Sequence, residues 1–210
     1  GHFQRALQSD PSDTVDCVLN DLAQGVKEGL IDEEEAVAIA IVLVGAAGES
    51  TSSLVGSAIR ILARDPDLQS RLRQSPELIE SYIEEVVRLE TPFKGHYRAV
   101  LHQTEIAGIS VPAGAKVFLL WAAANRDDTV FSNPEMIDLN RENKNEHLGF
   151  GHGIHFCIGA RLARMETRII LEELLQRTKK FSLQSEHSEK HVSSIFVRRL
   201  QCLELRMSAA

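Results

Sequence analysis

Cysteine is scarce in this sequence, in which Cys17, Cys157 and Cys202 are the only three among 210 residues. Three cysteines so widely separated are too few for a disulfide framework and too scattered for a structural zinc site. Their scarcity is typical of a protein from a reducing compartment, so we expect a cytoplasmic location. A small fold stapled by disulfides is therefore excluded.

The sequence also lacks an apolar run long enough to span a membrane and a net positive charge. The longest apolar run, residues 36–47, is shorter than the roughly 18 residues that mark a membrane span. The polar N-terminal stretch, with Gln4, Arg5 and Asp10, does not resemble a signal peptide. A net charge of -7 argues against nucleic acid as a partner. We therefore expect neither a membrane nor a nucleic-acid partner, and no internal repeat is visible.

Glycine is concentrated in one short stretch, FGHGIHFCIG, which runs from Phe150 to Gly159. Gly151, Gly153 and Gly159 lie close together there, and each glycine in a helix interior costs about 1 kcal/mol. The stretch is therefore a shaped loop, which allows the backbone to come close to another group. Cys157 stands near its end.

A helix is predicted directly after this loop, from Ala160 onward. Cys157 thus precedes a helix N-terminus, where unpaired N–H groups and the helix dipole stabilise a thiolate, the form of cysteine that binds metal. Cys17 and Cys202 lack both the glycine loop and this helix-start setting. The helix has apolar residues at near-helical spacing and arginines on another face: Leu162, Met165, Ile169, Leu171 and Leu174, and Arg161, Arg164 and Arg168.

The glycine-rich stretch resembles the haem-binding signature of the cytochromes P450, Phe-Gly-x-Gly-x-His/Arg-x-Cys-x-Gly, and matches each of its fixed positions. Six fixed positions coincide by chance in fewer than roughly one in a million windows. For an isolated cysteine, a buried and inert side chain in a glycine turn would be the alternative. The resemblance implies haem b, iron protoporphyrin IX, with Cys157 as the axial thiolate ligand that donates electron density to the iron. It also implies that Phe150 shields the sulfur and that His155 reaches a haem propionate. Gly151 and Gly159 belong to the same cofactor-binding loop.

A long helix is predicted upstream. Asp32 and Glu35 have the spacing of a capping box, and the apolar pattern continues from there to about Arg64. Its middle, residues 45–51, contains two glycines, an acid, a serine and a threonine, which weaken or bend a helix. A close helix crossing with a solvated polar edge is one interpretation of this segment.

The resemblance offers the other interpretation. The central helix of the cytochromes P450 carries Ala/Gly-Gly-x-Asp/Glu-Thr, a bulge over the haem in which the acid and the alcohol relay protons during oxygen activation. Ala46 to Ser50 aligns with this motif, so Ala46 is expected near the haem and Glu49 and Ser50 in proton delivery. Ala47 replaces the usual glycine and Ser50 the usual threonine, and Thr51 is the alternative to Ser50.

Glu85 and Arg88 lie three residues apart on another predicted helix. Such a pair is ordinarily a surface salt bridge worth under about 1 kcal/mol. By resemblance it is the Glu-x-x-Arg motif of the cytochromes P450, which is structural and forms a buried charged triad with an arginine before the haem cysteine. Arg141 matches the third member.

Short strands follow that helix. Arg98 is either an edge-strand charge or, by resemblance, the arginine that pairs bidentately with a haem propionate. Five residues match positions that line the substrate pocket in the family: Phe93, Lys94, His96, Ile195 and Phe196. We predict strands over residues 97–101, 106–111, 116–120, 181–183 and 193–205, and helices over residues 1–9, 14–27, 68–74 and from Pro76 onward.

Apolar residues make up 43% of the chain, enough for a substantial core. The fold class expected is mainly α with small β-sheets, an α+β arrangement. The resemblance covers residues 1–210 in the family's motif order, but the family's chains are substantially longer. It therefore implies the C-terminal half of a single cytochrome P450 domain, with the N-terminal half absent.

The function implied is that of a haem-thiolate monooxygenase, which activates O2 to hydroxylate or otherwise oxidise a small organic substrate. Electrons would come from a ferredoxin and ferredoxin reductase, and the arginines at 161, 164 and 168 are either part of a docking face or a solvated helix face. The alternative is a truncated, catalytically inactive fragment that binds haem or another molecule without turnover.

Overall fold

The computed structural model describes residues 17–185 and 189–209. The helix predicted over residues 1–9 and the first part of the helix predicted over residues 14–27 lie outside the described residues. The chain divides into two compact units, residues 1–49 and 50–210. Each unit has its own core and is described by itself.

The first unit contains helix α1, Val18–Lys27, and the beginning of α2, Glu33–Arg64. The capping box is confirmed: the amide of Asp32 donates to Glu35 Oε2 at 2.9 Å, and the amide of Glu35 donates to Asp32 Oδ1 at 2.8 Å. These two bonds satisfy amides that have no partner within a helix, so the helix starts where the sequence predicts. The small core of this unit consists of Leu22, Ala23, Ala36 and Ala40, with Leu19, Val26, Ile31 and Val37 around them.

Helix α2 continues without interruption from Glu33 to Arg64, through the segment 45–51 in which the sequence indicates a weakened or bent helix. Glycine costs about 1 kcal/mol per position, a small amount beside the hydrogen bonds of a helix of 32 residues. The helix is long and apolar enough to cross a membrane by length and composition alone, with a mean hydropathy of 1.6 over its best window. Core helices and signal sequences have the same property.

The helices of the second unit begin with α3, Pro66–Gln74. Asp65 caps it, since its side chain accepts a hydrogen bond from the amide of Leu68 at 2.9 Å, and Pro66 occupies the first turn, where its missing N–H costs nothing. The helix thus starts two residues before the predicted Leu68. A short 3-10 turn, Pro76–Leu78, then leads into α4, Ile79–Glu90. Two further helices follow: α5, Trp121–Ala124, and α6, Ala160–Arg177.

The strands of this unit form three antiparallel pairs. Strands β1, His96–Ala99, and β4, Lys116–Leu119, form the first pair; β2, Thr104–Ile106, and β3, Ile109–Val111, the second; and β5, Thr178–Leu183, and β6, Leu205–Ala209, the third. The single strand predicted over residues 106–111 is wrong. Ala107 and Gly108 have φ angles of 49° and 79°, which make a tight hairpin turn between β2 and β3.

The strand predicted over residues 193–205 is also wrong. Within the described residues this segment makes only isolated bridges, between Phe93 and Val197 and between His191 and Leu200, and β6 begins at Leu205. The hydroxyl of Ser194 accepts hydrogen bonds from the amides of Phe196 and Val197 at 3.1 and 3.2 Å. A serine that binds two nearby amides holds a turn, and this local bonding outweighs the apolar pattern.

The main core lies between α2, α4, α6 and β5. Tyr82 is fully buried within it, and its hydroxyl donates a 2.6 Å hydrogen bond to the carbonyl of Ala58. Burial raises the pKa of Tyr82 well above its ordinary value. The buried side chains of this core include Leu54, Leu62, Ile79, Ile83, Val86, Leu171, Leu175 and Phe181.

A carboxylate without solvent exposure sits at the edge of this core. Glu85 accepts hydrogen bonds from Arg88 Nε at 2.8 Å and Nη2 at 3.0 Å, from Arg141 Nε at 2.9 Å and from the amide of Asp138 at 2.9 Å. Arg88 is equally inaccessible, and Arg141 is 4% exposed. Both guanidinium groups also lie over the ring of Phe131, at 5.3 and 5.9 Å from its centroid. The structure thus places together the three residues of the expected charged triad.

Two more carboxylates on α4 are paired with arginines from distant segments. Glu84 accepts from Arg164 Nε at 2.6 Å, on α6, and Glu90 accepts from Arg198 Nε at 2.8 Å. Burial alone would raise the pKa of Glu84, but hydrogen bonds from Arg164 and from His147 hold it at about 2. Burial likewise opposes ionisation of Glu85 and Glu90, yet their arginine partners lower the pKa of both. Ion pairs of these three carboxylates therefore hold α4 against three distant segments of the chain.

Replacing Glu85 with alanine should cost about 3–5 kcal/mol of unfolding free energy, because Arg88 and Arg141 would remain buried without a counter-charge. Urea unfolding followed by circular dichroism measures this loss. The matched control is Glu80→Ala on the same helix, whose side chain is 78% exposed and should contribute less than about 1 kcal/mol. Equal effects of the two substitutions would contradict a structural role for the cluster.

Acid should destabilise the protein in a defined direction. The pKa of Glu84 is lowered from 4.5 to about 2 on folding, so its contribution to stability is complete above pH 4.5 and is lost as the pH falls through about 2. The lowered pKa values of Glu85 and Glu90 act in the same direction. Unfolding free energies measured across this pH range should fall toward acid, and Glu84→Gln should make the fall less steep. An unchanged slope in the variant would contradict the assignment.

Candidate haem site

The loop around Cys157 is held by its own backbone. The amide of Cys157 donates to the carbonyl of Phe150 at 2.9 Å, and the amide of Gly151 donates to that of Leu148 at 3.0 Å. A 3-10 turn, Gly153–His155, lies between them. Helix α6 begins three residues after Cys157, so the thiol lies just before a helix N-terminus, as the sequence predicts.

Two glycines of the loop are required by backbone geometry. Gly151 and Gly153 have φ angles of 73° and 71°, a region that side chains with a Cβ rarely adopt. A third glycine, Gly149, was not singled out by the sequence analysis. A Cβ atom there would lie 2.5 Å from Val87 Cγ1 and 3.0 Å from the carbonyl oxygen of Val87. The loop is thus pressed directly against α4, and no sequence signal distinguishes this glycine from one that serves a turn.

The surroundings of the thiol fit a flat apolar cofactor. Cys157 is exposed, and the apolar side chains of Ile154, Phe156 and Ile158 next to it are 97%, 52% and 89% exposed. Isoleucine is one of the residues most often buried, so two isoleucines open to solvent beside a thiol mark a surface that is covered by another apolar group. A haem macrocycle with Cys157 on its iron would cover this surface.

The ring of Phe150 is packed between charged and aromatic neighbours. The guanidinium carbon of Arg164 lies 4.4 Å from the ring centroid, the shortest such approach found in the described part of the chain. The rings of His147 and Phe156 have centroids 5.7 and 6.3 Å away. The sequence predicts Arg164 only as part of a docking face or of a solvated helix face, and it does not predict a role for His147. A contact between an arginine on α6 and a phenylalanine in the loop leaves no local signal in the sequence.

The two residues expected on the haem propionates lie on different elements. His155 is exposed in the 3-10 turn, and Arg98 is half-buried on β1, where its Nη1 donates to the carbonyl of Tyr97 at 2.9 Å. Arg98 borders a cleft with Tyr97, Ala99 and Lys116. Arg98 therefore lines a cleft. Among the described contacts, none joins Arg98 to His155.

The segments expected to line the substrate pocket are joined to one another. The amide of Lys94 donates to the carbonyl of Phe196 at 2.7 Å, and Lys94 Nζ donates to the carbonyl of Ser194 at 2.6 Å. Phe93 is bridged to Val197, next to Phe196. The side chains of Ile195 and Phe196 are largely exposed. The sequence places these two segments about 100 residues apart, and the structure brings them side by side.

Aromatic rings gather around this junction. Phe196 lies 5.9 Å from Tyr97 and 6.2 Å from Phe118, centroid to centroid, and the rings of Tyr97 and Phe118 are 4.7 Å apart. Trp121 Nε1 donates to His96 Nδ1 at 2.9 Å, and desolvation together with the charge of Arg98 lowers the pKa of His96. His96 is therefore held as a neutral imidazole whose Nε2 carries the proton. Tyr97, Phe118 and Trp121 were not predicted as parts of the site.

The expected proton-delivery residues lie on consecutive positions of α2. Ala46 and Glu49 are exposed, and Ser50 and Thr51 are half-buried. Ala46 and Ser50 are four residues apart and share one face of the helix, whereas Thr51 lies about 100° further round. The geometry of the helix thus separates the two alcohols in direction, which makes the choice between them testable.

The three arginines near the start of α6 differ in exposure. Arg161 and Arg168 are exposed, whereas Arg164 is half-buried and bound to Glu84. Leu162, Met165 and Ile169 are about half exposed, and α6 buries its opposite face through Leu171 and Leu175. The expectation that Cys17 lacks a helix-start setting is wrong, since it is the N-cap residue of α1. What distinguishes Cys157 from Cys17 is the glycine loop.

Comparison with known proteins gives a consistent result. The family model for cytochrome P450 matches residues 2–199. Cytochrome P450 144 of Mycobacterium tuberculosis is 43% identical over 203 residues, which are 97% of this chain and 45% of that protein. The biotin biosynthesis cytochrome P450 of Bacillus subtilis is 35% identical over 182 residues, which are 87% of this chain and 46% of that protein. The solved structure of Mycobacterium marinum CYP150A6 in its substrate-free form matches with a TM-score of 0.92 and 32% identity over 100% of this chain and 54% of that chain.

The chain spans about half the length of the curated relatives it matches. Over that span, the predicted fold class, mainly α with small β-sheets, is confirmed. Members of the matching family are monooxygenases that bind haem b, and the loop around Cys157 has the exposure and the apolar surroundings to receive it. On the family match, the likeness of fold and the glycine-rich cysteine loop together, this chain belongs to the cytochrome P450 family.

Proposed function

We propose that this chain is the C-terminal portion of a single cytochrome P450 domain and carries the haem ligand of a haem-thiolate monooxygenase that oxidises a small organic substrate. The observation that supports this most directly is the exposed thiol of Cys157 between a glycine loop and the start of α6, beside the exposed side chains of Ile154 and Ile158. A haem with a thiolate ligand supplies reductive activation of O2. The protein supplies the ligand, the shape of the site and the protons.

Cofactor binding is assigned to few side chains. Cys157 binds the iron, and the amides at the start of α6 stabilise its negative charge. Phe150 shields the sulfur, and the glycines at 151 and 159 allow the loop to approach the macrocycle. Arg98 and His155 bind the propionates, for which a planar guanidinium is well suited.

Proton delivery is assigned to α2. Glu49 would take up protons from solvent, Ser50 or Thr51 would pass them on toward the bound haem, and Ala46 would lie beside it. The substrate would be held by the junction that Phe93, Lys94, His96, Ile195 and Phe196 form. Apolar and aromatic side chains dominate it, which favours a largely apolar organic molecule.

The electron donor is proposed to be a ferredoxin reduced by its reductase. Such a donor needs positive charge near the cysteine, and Arg161 and Arg168 are exposed on α6, whereas the exposed Arg177 at the far end of this helix is paired with Glu173. Arg164 does not add to this charge, because Glu84 neutralises it. A cytoplasmic location remains a prediction.

A second candidate function is a haem-binding or interaction fragment without turnover. One observation favours it: the side chains of Ile41, Val42 and Val44 on α2 are exposed. Haem affinity depends on covering its apolar faces, at about 25 cal/mol per Å². If one haem face stayed uncovered, haem would bind weakly, and the exposed side chains of α2 would favour self-association.

Replacing Cys157 with serine should abolish thiolate ligation. The measurement is the absorption spectrum of the reduced, carbon-monoxide-bound protein after haem titration, which should show a thiolate-type band that the variant lacks. Cys17→Ser and Cys202→Ser are the controls and should keep the band, because neither residue lies in the glycine loop. Persistence of the band in the Cys157 variant would reject the proposed function.

Replacing Glu49 and Ser50 together with alanine should leave haem bound but divert electrons from product to hydrogen peroxide and water, because proton delivery contributes about 10²–10⁴-fold in rate. The ratio of product formed to reducing equivalents consumed measures this coupling. Ser52→Ala on the same turn is the matched control.

Single variants then decide the register. If Ser50→Ala is harmless and Thr51→Ala uncouples turnover, Thr51 is the proton-relaying alcohol. If haem is retained and no variant, nor the parent chain, forms product, the second candidate function is the correct one.

A further inference from the structure

Arg164 lies between a carboxylate and an aromatic ring. Its Nε and Nη2 donate to Glu84 Oε1 and Oε2 at 2.6 and 2.9 Å, a bidentate pair that fixes the plane of the guanidinium. Its guanidinium carbon is 4.4 Å from the centroid of Phe150. The Glu84 side chain is 9% exposed and that of Arg164 33%. The arginine is therefore held in one orientation, and that orientation lies over the phenylalanine of the cysteine loop.

His147 is the second group that contacts both Glu84 and the Phe150 ring. Its Nδ1 accepts a hydrogen bond from the amide of Gly149 at 3.1 Å, so Nδ1 carries no proton. The proton is then on Nε2, which lies 3.0 Å from Glu84 Oε2 and donates to it. The imidazole side chain is 2% exposed, and its ring packs 5.7 Å from that of Phe150. One carboxylate thus orients two neighbours of the Phe150 ring, Arg164 and His147.

The network continues by backbone into the ligand loop. Gly149 packs so closely against Val87 of α4 that no side chain fits at the residue before Phe150. The carbonyl of Phe150 accepts the hydrogen bond from the amide of Cys157 at 2.9 Å. A movement of Phe150 therefore changes the support of the cysteine itself.

Charge links the same groups. The pKa of Arg164 is raised chiefly by its hydrogen bonds to Glu84, against the opposing effect of burial, and further by the charges of Glu84 and Cys157. Arg164 is linked to the cysteine loop by its contact with the Phe150 ring, and Glu84 provides the compensating negative charge. Outer groups of this kind tune the electron donation of a metal ligand.

We propose that Glu84, His147 and Arg164 form a positioning network that orients Phe150 against the Cys157 loop and balances the charge beside the thiolate. The charge balance rests on the proposed haem-binding function, whereas the orientation of the loop does not. Loss of Glu84 alone leaves the positive charge of Arg164 uncompensated and weakens donation by the sulfur. Loss of Arg164 alone leaves the negative charge of Glu84 and strengthens it.

Variants of both helices separate charge from packing. Glu84→Gln removes the negative charge, Arg164→Met removes the positive charge, and Arg164→Lys keeps the charge but loses the planar group over Phe150. The matched controls are Glu80→Gln and Arg168→Met, one helical turn away on the same helices. Glu80 and Arg168 are exposed, and their closest approach is 3.9 Å.

Hydrogen exchange of the Cys157 amide in the haem-free chain tests the orientation of the loop. All three network variants should speed this exchange on the order of tenfold, as expected for a weakened hydrogen bond, while the two controls leave it unchanged. Arg164→Lys retains the ion pair with Glu84. The exchange measured in this variant therefore still decides the question if Glu84→Gln or Arg164→Met fails to fold. Unchanged exchange in Arg164→Lys would overturn the positioning role.

The reduction potential of the haem-loaded protein tests the charge balance. Glu84→Gln should shift it to more positive values, Arg164→Met to more negative values, and Arg164→Lys and the controls should leave it in place. Shifts of the same sign in both charge-removing variants, which general loosening would produce, would overturn the balance. If the chain binds no haem, the proposed function fails, and hydrogen exchange at Cys157 still decides the positioning role.

Discussion

Burial of the Glu85 carboxylate is the constraint on which the rest of this structure depends. A charged oxygen pair without solvent contact is costly unless every lone pair finds a donor, and here four donors from Arg88, Arg141 and Asp138 meet it. Two of these residues lie more than 50 positions away in sequence, so satisfying the charge fixes a long loop against α4. That loop leads into the cysteine segment. The position of the Cys157 thiol therefore depends on the hydrogen bonds that hold Asp138 and Arg141 to Glu85.

Much of the fold follows from local patterns. The capping box at Asp32 marks the start of α2, the glycines before Cys157 mark a loop, and the spacing after it marks α6. The ten-residue signature indicated the cytochrome P450 family, which the family match confirms. These features could be predicted because each depends on residues within one or two turns of one another. The hairpin at Ala107 was missed because a positive φ at alanine leaves no compositional signal.

The parts of the site that could not be predicted are contacts between distant segments. Glu84 precedes the recognised Glu85 and has an ordinary composition around it, and its partner Arg164 lies 80 residues further on. The sequence also gives no indication that Gly149 lies close to Val87, because a glycine in a loop more often serves a turn. The strand expected over residues 193–205 failed for a related reason. Its backbone is bound by Ser194 and by the segment around Lys94 instead of by a neighbouring strand.

The three paired carboxylates of α4 also determine when this helix can be completed during synthesis. Their partners Arg141, Arg164 and Arg198 emerge 56, 80 and 108 residues after Glu85, Glu84 and Glu90. At about 5–20 residues per second, the last of them follows roughly 5–20 seconds later. During that interval Glu85 has Arg88 of its own helix and Glu90 has Arg60, but Glu84 still lacks Arg164, so α4 cannot yet bury all three acids without a severe electrostatic cost. Folding of this unit therefore depends on segments that are synthesised long after α4 itself.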